Sequence, residues 1–291
     1  NPGCMLKFYG SVTTPEFTSS RDMWKITSGK EIYSTSPVIM DFDSYYSAVN
    51  FYGDEINLKS SIVRYGSNGL ATININSTDF NYIVLRDCGT AIIINHGNLN
   101  IRNLVILNCN HTCILYTCNL DENYNIYITK CLINSLNKRG IAIQNIYNYY
   151  INNCYFNNNN IDIDINSSNG IISNNIFDNN NNYNITYYNN CHYNKIIYNN
   201  FYVSTICIRP QGDILNINNN NFFGNTTFFI YILRNTFPYS YVYSDVNAIN
   251  NYWAVEDIDY YLADAEDDPR CPYHIIYLPK LSNPVKNAGI Q

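Results

Sequence analysis

The sequence predicts an all-β solenoid: a single-stranded right-handed parallel β-helix of roughly 8–10 coils, about 22 residues each, with a capping segment at either end. Three observations predict it. A short template recurs at a nearly constant interval, a second strand-like run recurs between its copies, and clusters of asparagine separate the runs.

The template is an aliphatic residue, two further residues, Cys or Asn, one residue, then often an aromatic. It reads Leu85–Cys88, Ile106–Cys109, Ile128–Cys131, Ile151–Cys154–Phe156, Ile172–Asn175–Phe177, Ile196–Asn199–Phe201 and Ile217–Asn220–Phe222, with a looser copy at Ala248–Asn251–Trp253. Its Cys/Asn anchors are 21, 22, 23, 21, 24, 21 and 31 residues apart. The second run appears as Ala91–Ile94, Cys113–Tyr116, Ile141–Ile143, Ile161–Ile165, Asn184–Tyr188, Thr205–Ile208 and Phe228–Ile232. The clearest of these alternate apolar with polar, the two-residue period of a half-buried strand. Asn157–Asn160 and Asn179–Asn182 lie between runs, where asparagine tolerates left-handed backbone and caps its own turn. Helical repeats use longer periods and Ala and Leu, and runs of Asn would break them.

The repeat divides the chain. Residues 51–253 carry the β-helix. Residues 1–50 lack the clean template and read as an N-terminal cap holding the first strands, with Val38–Phe42 and Val49–Tyr52 as candidates for a first coil or two. Residues 254–291 read as the opposite cap and tail. Caps are required because the last coil of a solenoid is an unpaired strand edge.

Composition narrows the function classes. Hydrophobic residues make up 46% and charged residues only 14%, against about 25% in an average soluble protein. Asparagine, roughly one residue in six, and 29 tyrosines replace charge as the polar filler. The net charge of −6 and the lack of a basic stripe argue against a nucleic-acid partner. No apolar run approaches the ~20 residues of a membrane span. Ten cysteines and five sequons, at Asn76, Asn110, Asn166, Asn184 and Asn225, point to a secreted, extracellular or cell-surface protein. The chain opens at Asn1 without a signal-like stretch and is read as a mature form or an excised module.

Four constellations stand out. Cys88, Cys109, Cys131 and Cys154 share one template position and should stack inward as a ladder of small buried hydrophobes; stacked Cα atoms ~4.8 Å apart also fall within disulfide range. Asn175, Asn199 and Asn220 continue that column, where identical amides can hydrogen-bond from coil to coil. Cys113 with Cys118 and Cys191 with Cys207 are local disulfide options, while Cys4 and Cys271 lie in opposite caps. No metal site is expected, because one column of sulfurs does not surround an ion.

The remaining constellations are polar surfaces. If Ile161, Ile163 and Ile165 face inward, alternation puts Asp162 and Asp164 outward. Thr186 and Tyr188, then Arg209, then Phe229 and Tyr231 follow on the next coils, giving an acidic and aromatic face in which Tyr188, Phe229 and Tyr231 are binding candidates. Glu256, Asp257, Asp259, Asp264, Glu266, Asp267 and Asp268 form the densest charge run. It reads first as a solvated cap; Ca²⁺ binding is its sharper reading, and no other cofactor is expected. The histidines His96, His111, His192 and His274 are dispersed, and no HExxH, GxSxG, P-loop or GxGxxG pattern occurs.

The repeat template resembles that of the pectate-lyase-like superfamily of right-handed parallel β-helices. The tail, Asn250-Asn-Tyr-Trp253, Asp257-Ile-Asp259, Asp267-Asp-Pro269 and Tyr277-Leu-Pro-Lys-Leu281, resembles the closing segment of extracellular adhesin-like β-helix proteins and of periplasmic copper-maturation proteins of nitrous oxide reductase. Ala254 stands where such families often have Gly. The resemblance covers about residues 70–281 and implies fold more than activity, since the fold hosts lyases, hydrolases, adhesins and scaffolds. The expected function is a non-catalytic extracellular module, adhesive or a structural subunit of a surface layer, sheath or filament, partnered by copies of itself or by cell-surface proteins or glycans. The alternative is a polysaccharide lyase or glycosidase. By resemblance to pectate lyases, Asp162 and Asp164 would bind Ca²⁺ and Arg209 would act as base, although the face offers no third acid and Arg209 lies two coils from Asp164.

Overall fold

The computed structural model describes isolated strands between residues 7 and 73 and most of residues 75–290. Segments 119–122, 189–190, 211–214, 233–244 and 264–273 and the single positions 167, 192, 225 and 291 lie outside the described residues. The fold is the predicted parallel β-helix. Its longest side is a parallel sheet of eleven strands running from Trp24–Ser28 to Leu262–Ala263. Within it lie Thr112–Thr117, Arg139–Gln144, Ile161–Asn166, Tyr183–Tyr188, Ile206–Arg209 and Phe228–Tyr231. A second side stacks Asn98–Arg102, Asn125–Thr129, Asn148–Asn152, Gly170–Ser173, Asn194–Ile197 and Leu215–Asn218, and a third stacks Val105–Leu107, Leu132–Asn134, Tyr155–Asn157, Ile176–Asp178, Asn200–Phe201 and Asn221–Phe222. Seven turns carry separate strands on all three sides. Nearer the N-terminus, Glu55–Arg64 and Ser77–Arg86 each run across the second and third sides as one long strand.

Pairing extends beyond residues 51–253 at both ends. Trp24–Ser28 pairs with Val49–Gly53 and Val38–Asp41 with Glu55–Arg64. After Trp253, Leu262–Ala263 joins the long sheet, Ile275–Ile276 joins the second side, and Leu281 bridges to Tyr252.

The corner before each template anchor accounts for part of the asparagine content. Asp87, Asn108, Lys130, Asn153, Asn174, Tyr198, Asn219 and Asn250 each immediately precede an anchor, and all have φ between 54° and 59°. Five of these eight are asparagine, the non-glycine residue that adopts this region at least cost. The chain turns sharply there and drives the anchor inward. Cys88, Cys109, Cys131, Cys154, Asn175, Asn199, Asn220 and Asn251 are all buried. Two residues later the aromatics stack face to face. Phe156, Phe177, Phe201, Phe222 and Trp253 have successive ring centroids 5.0, 4.8, 4.8 and 4.3 Å apart, with planes within 10° of parallel.

The asparagine column is hydrogen-bonded throughout. Asn175 Oδ1 accepts from the Cys154 N–H at 2.8 Å, Asn199 Oδ1 from the Asn175 N–H at 2.9 Å, Asn220 Oδ1 from the Asn199 N–H at 2.9 Å, and Asn251 Oδ1 from the Asn220 N–H at 2.8 Å. Each Nδ2 donates in turn to a main-chain carbonyl of a neighbouring coil: Ile151, Ile172, Ile196 and Ile217. A corner that would otherwise leave buried N–H and C=O groups unpaired is thus satisfied by its own side chains.

Candidate functional site

Strand Ile161–Asn166 decides the fate of the acidic face. Pairing in the long sheet skips one position in each coil. Thr112 pairs with Arg139 and Ile114 with Ile141; Arg139 pairs with Ile161 and Ile141 with Ile163; Ile161 pairs with Tyr183 and Ile163 with Ile185. The skipped residues are Cys113, Gly140, Asp162 and Asn184, followed upward by Cys207 and Phe229. The strand bends there and turns two successive side chains inward, so strict alternation fails at that one column.

Asp162 is therefore fully buried and faces the core, not solvent. Its Oδ1 accepts from Asn159 Nδ2 at 2.7 Å and its Oδ2 from Asn184 Nδ2 at 3.0 Å. Burial pushes its carboxyl well above the ordinary aspartate range, against the pull of those two amide donors. Asp164 does point outward, but it is held down: Arg139 Nε lies 2.9 Å from its Oδ2 and the buried Thr186 hydroxyl donates to its Oδ1 at 2.9 Å. Burial raises its carboxyl too, while Arg139, the Thr186 hydrogen bond and Arg209 oppose the rise. The expected pair of carboxylates on one face is absent, because the two acids lie on opposite sides of the sheet.

Arg209 continues the Asp164–Thr186 column two coils from Asp164, as the spacing implied. Its guanidinium carbon sits 5.4 Å from the Tyr183 ring centroid and 5.6 Å from that of Tyr188, an arrangement that holds the cation over aromatic faces. Tyr188 and Tyr231 are half-buried on the outer surface, but Phe229 is not part of it. It is completely buried and packs on Phe222, Trp253 and Tyr261 at 5.3, 5.5 and 5.0 Å. The outward arrangement is thus Arg139, Asp164, Tyr183, Tyr188, Arg209 and Tyr231. Arg139 escaped sequence reasoning for the reason that Asp162 and Phe229 were misplaced: counted back from Ile141 by twos it faces inward, and the bend at Gly140 turns it out.

The eight described cysteines are all buried free thiols, and neither Cys113–Cys118 nor Cys191–Cys207 is joined. Burial pushes the Cys113 thiol well up, reinforced by hydrogen bonding with Cys109, and Cys131 likewise beside Cys154. Cys207 is pushed up to about 12 by burial. Thiols held protonated inside the core are poor nucleophiles and poor ligands. Cys4 and Cys271 lie outside the described residues.

Asn76 and Asn110 are exposed and Asn166 is half-buried, whereas Asn184 is completely buried on the Asp162 side of its strand, and Asn225 lies outside the described residues. In the tail, Glu256, Asp257 and Asp259 are exposed, and Asp259 accepts from the Tyr277 hydroxyl at 2.7 Å; Asp264, Glu266, Asp267 and Asp268 are not described. Among the described residues no three His, Cys, Asp or Glu side chains gather as a metal site. No helix among them is long and apolar enough to cross a membrane.

Tyrosine and asparagine recur among the exposed and half-buried described residues elsewhere. Tyr82, Tyr147 and Tyr193 are 61%, 57% and 69% exposed. Tyr127 and Tyr150 stack at 5.1 Å with planes 4° apart, so each covers one face of the other. Comparison with known proteins adds no relative: no protein-family model, no curated protein and no solved structure matches the chain.

Proposed function

We propose that this chain is a rigid, non-catalytic extracellular module, adhesive or structural, that meets protein or glycan partners through its tyrosine- and asparagine-covered sides. The observation that carries the reading is the separation of Asp162 from Asp164: one is buried among amides in the core, the other neutralised by Arg139 on the surface. Glycoside hydrolysis needs two carboxyl groups converging on one bond, at about 5–5.5 or 6.5–9.5 Å, with substrate between them. Carboxyls on opposite sides of one strand cannot do that. The separation weighs against the glycosidase alternative, and it leaves Asp164 without Asp162 beside it for the Ca²⁺ that the lyase alternative calls for. The exposed tyrosines, the low charge and the likeness of the closing segment to adhesin-like β-helix proteins support a binding or scaffolding role.

The test is a panel of pectin, xylan, alginate and glucan, with and without Ca²⁺, read for unsaturated product, new reducing ends and binding. The expected result is no product. Turnover abolished by Asp164→Asn or Arg209→Ala would transfer the assignment to the enzymatic alternative. Binding without product marks an adhesive module, weakened by removing exposed rings, as in Tyr147→Ala with Tyr193→Ala. Neither binding nor product marks a structural subunit.

A further inference from the structure

The four template cysteines occupy two columns, not the single one that the repeat predicts. Asn103 and Lys130 turn the chain at one corner, with φ of 53° and 55°, and Leu104 and Cys131 follow them. Val105 pairs with Leu132, so the buried Leu104, not Cys109, lies beneath Cys131. Cys88 and Cys109 belong to the next corner, where Arg86 pairs with Leu107 and Asn110 N–H donates to Cys88 O at 2.9 Å. Cys113 joins that second group through its hydrogen bond with Cys109.

The first column thus holds one pair of thiols, Cys131 and Cys154. Ile128 pairs with Ile151, Thr129 with Asn152, Leu132 with Tyr155 and Ile133 with Phe156, so the register is unbroken through the corner. Cys131 sits directly below Cys154, and Tyr155 N–H donates to Cys131 O at 2.8 Å. Neighbouring strands lie ~4.8 Å apart, inside the roughly 4.4–6.8 Å between Cα atoms that a disulfide spans. The two side chains point the same way. Cys131 Sγ lies 3.3 Å from Thr129 O and Cys154 Sγ 3.4 Å from Asn152 O, in each case the carbonyl two residues back. Cys154 Sγ is also 3.7 Å from Ile128 O on the coil below, so it leans toward Cys131, and the two thiols are within hydrogen-bonding reach of one another. Both are buried. Leu104 lies below the pair and Asn175 above it, so neither thiol meets a rival in its column.

We propose that Cys131 and Cys154 are a disulfide site, a covalent staple between two successive coils that closes while the chain folds and is sealed once it has folded. This rests on the reading of the protein as extracellular, where an oxidising compartment meets the folding chain. The bond forms by exchange with a small disulfide such as oxidised glutathione. One cysteine thiolate attacks a sulfur of the oxidant, and one glutathione leaves as its thiol. The second cysteine thiolate then attacks the cysteine sulfur of the mixed disulfide, and the second glutathione leaves. The two cysteines give up two protons and two electrons, and the cleaved oxidant takes up both. Burial sets the timing, because thiols held protonated in the core do not attack. The test makes the full chain by cell-free translation, once with dithiothreitol and once with mixed reduced and oxidised glutathione and a disulfide isomerase. Folded samples, matched by circular dichroism, are unfolded in N-ethylmaleimide, digested and mapped by mass spectrometry. The expected result with glutathione is a linked Cys131–Cys154 peptide pair, two hydrogens lighter than the reduced peptides, that survives dithiothreitol given to the folded protein. Protein folded reduced and only then given oxidised glutathione should keep both thiols. Both cysteines alkylated after synthesis with glutathione, or either joined to another cysteine, overturns the proposal. The assay supplies its own oxidant, so it and the polysaccharide panel above can fail separately.

Discussion

Removing one rung of the asparagine column tests the corner chemistry directly. In Asn199→Ala, the Asn175 N–H loses its acceptor at 2.9 Å and the Ile172 carbonyl loses its donor at 2.9 Å. Asn175 Nδ2 and the Ile197 carbonyl lose partners as well, at 3.1 and 3.0 Å. Asn199 is fully buried, so water does not replace what is lost. An unsatisfied buried group costs ~1–3 kcal/mol. Counting only the Asn175 N–H and the Ile172 carbonyl, since the Ile197 carbonyl keeps the Asn174 N–H as donor, gives about 2–6 kcal/mol, before any term for the small cavity. That is a large fraction of the ~5–15 kcal/mol that holds a typical domain. A solenoid opens locally, so the effect belongs to the coils around residues 172–222. The measurements are urea unfolding and hydrogen exchange at the Asn175 amide, which should lose protection by at least tenfold, about 1.4 kcal/mol. Asn175 exchanging as slowly in Asn199→Ala as in the parent, with the urea midpoint unmoved, would refute the idea that these side chains sustain the corner.

Three further outcomes follow from the same geometry. The raised carboxyl of Asp162 binds its proton more tightly folded than unfolded, so its contribution to stability is fully present below the ordinary aspartate range and declines as pH rises toward the folded value. Asp162→Asn should remove that decline and raise the thermal midpoint at pH 7, because the new amide can donate to Asn184 Oδ1, which has no hydrogen-bond partner, once Asn184 rotates; a lower midpoint at every pH would count against it. Phe177→Ala breaks the stack between Phe156 and Phe201 and should destabilise by about 3–5 kcal/mol in chemical denaturation, whereas a loss below ~1 kcal/mol would mean the ring lies outside the core. In a secretory host, intact mass should show glycans lost on Asn76→Gln and Asn110→Gln but no change on Asn184→Gln, since Asn184 is sealed in the core; a glycan at Asn184 would contradict its inward orientation.

The sequence by itself determined the architecture. A period near 22 residues, an inward Cys/Asn position often followed by an aromatic, and asparagine at most corners are local properties, and stacking repeats them without reference to distant parts of the chain. The inward column was legible to its last copy: Asn251 and Trp253 close the amide ladder and the aromatic stack after a gap of 31 residues in which the template is lost. What only the tertiary structure decided is which way the long sheet's side chains point beside its bend. Strand periodicity assigns faces by parity, and one bend reverses parity for every residue before it. That single displacement buried Asp162, Asn184 and Phe229 and brought out Arg139. The signal was present once the coils are aligned: the bend column reads Ala91, Cys113, Gly140, Asp162, Asn184, Cys207, Phe229, a run of small or apolar residues in five of seven coils that no solvent-facing column would carry. The return of residues 285–288 along the third side, where Asn221 Nδ2 donates to Val285 O and Asn200 Nδ2 to Ala288 O, had no such signal. It depends on contacts 64 and 88 residues apart in the chain, and side-chain amides that read a main chain leave almost no mark on the sequence they read beyond one glycine.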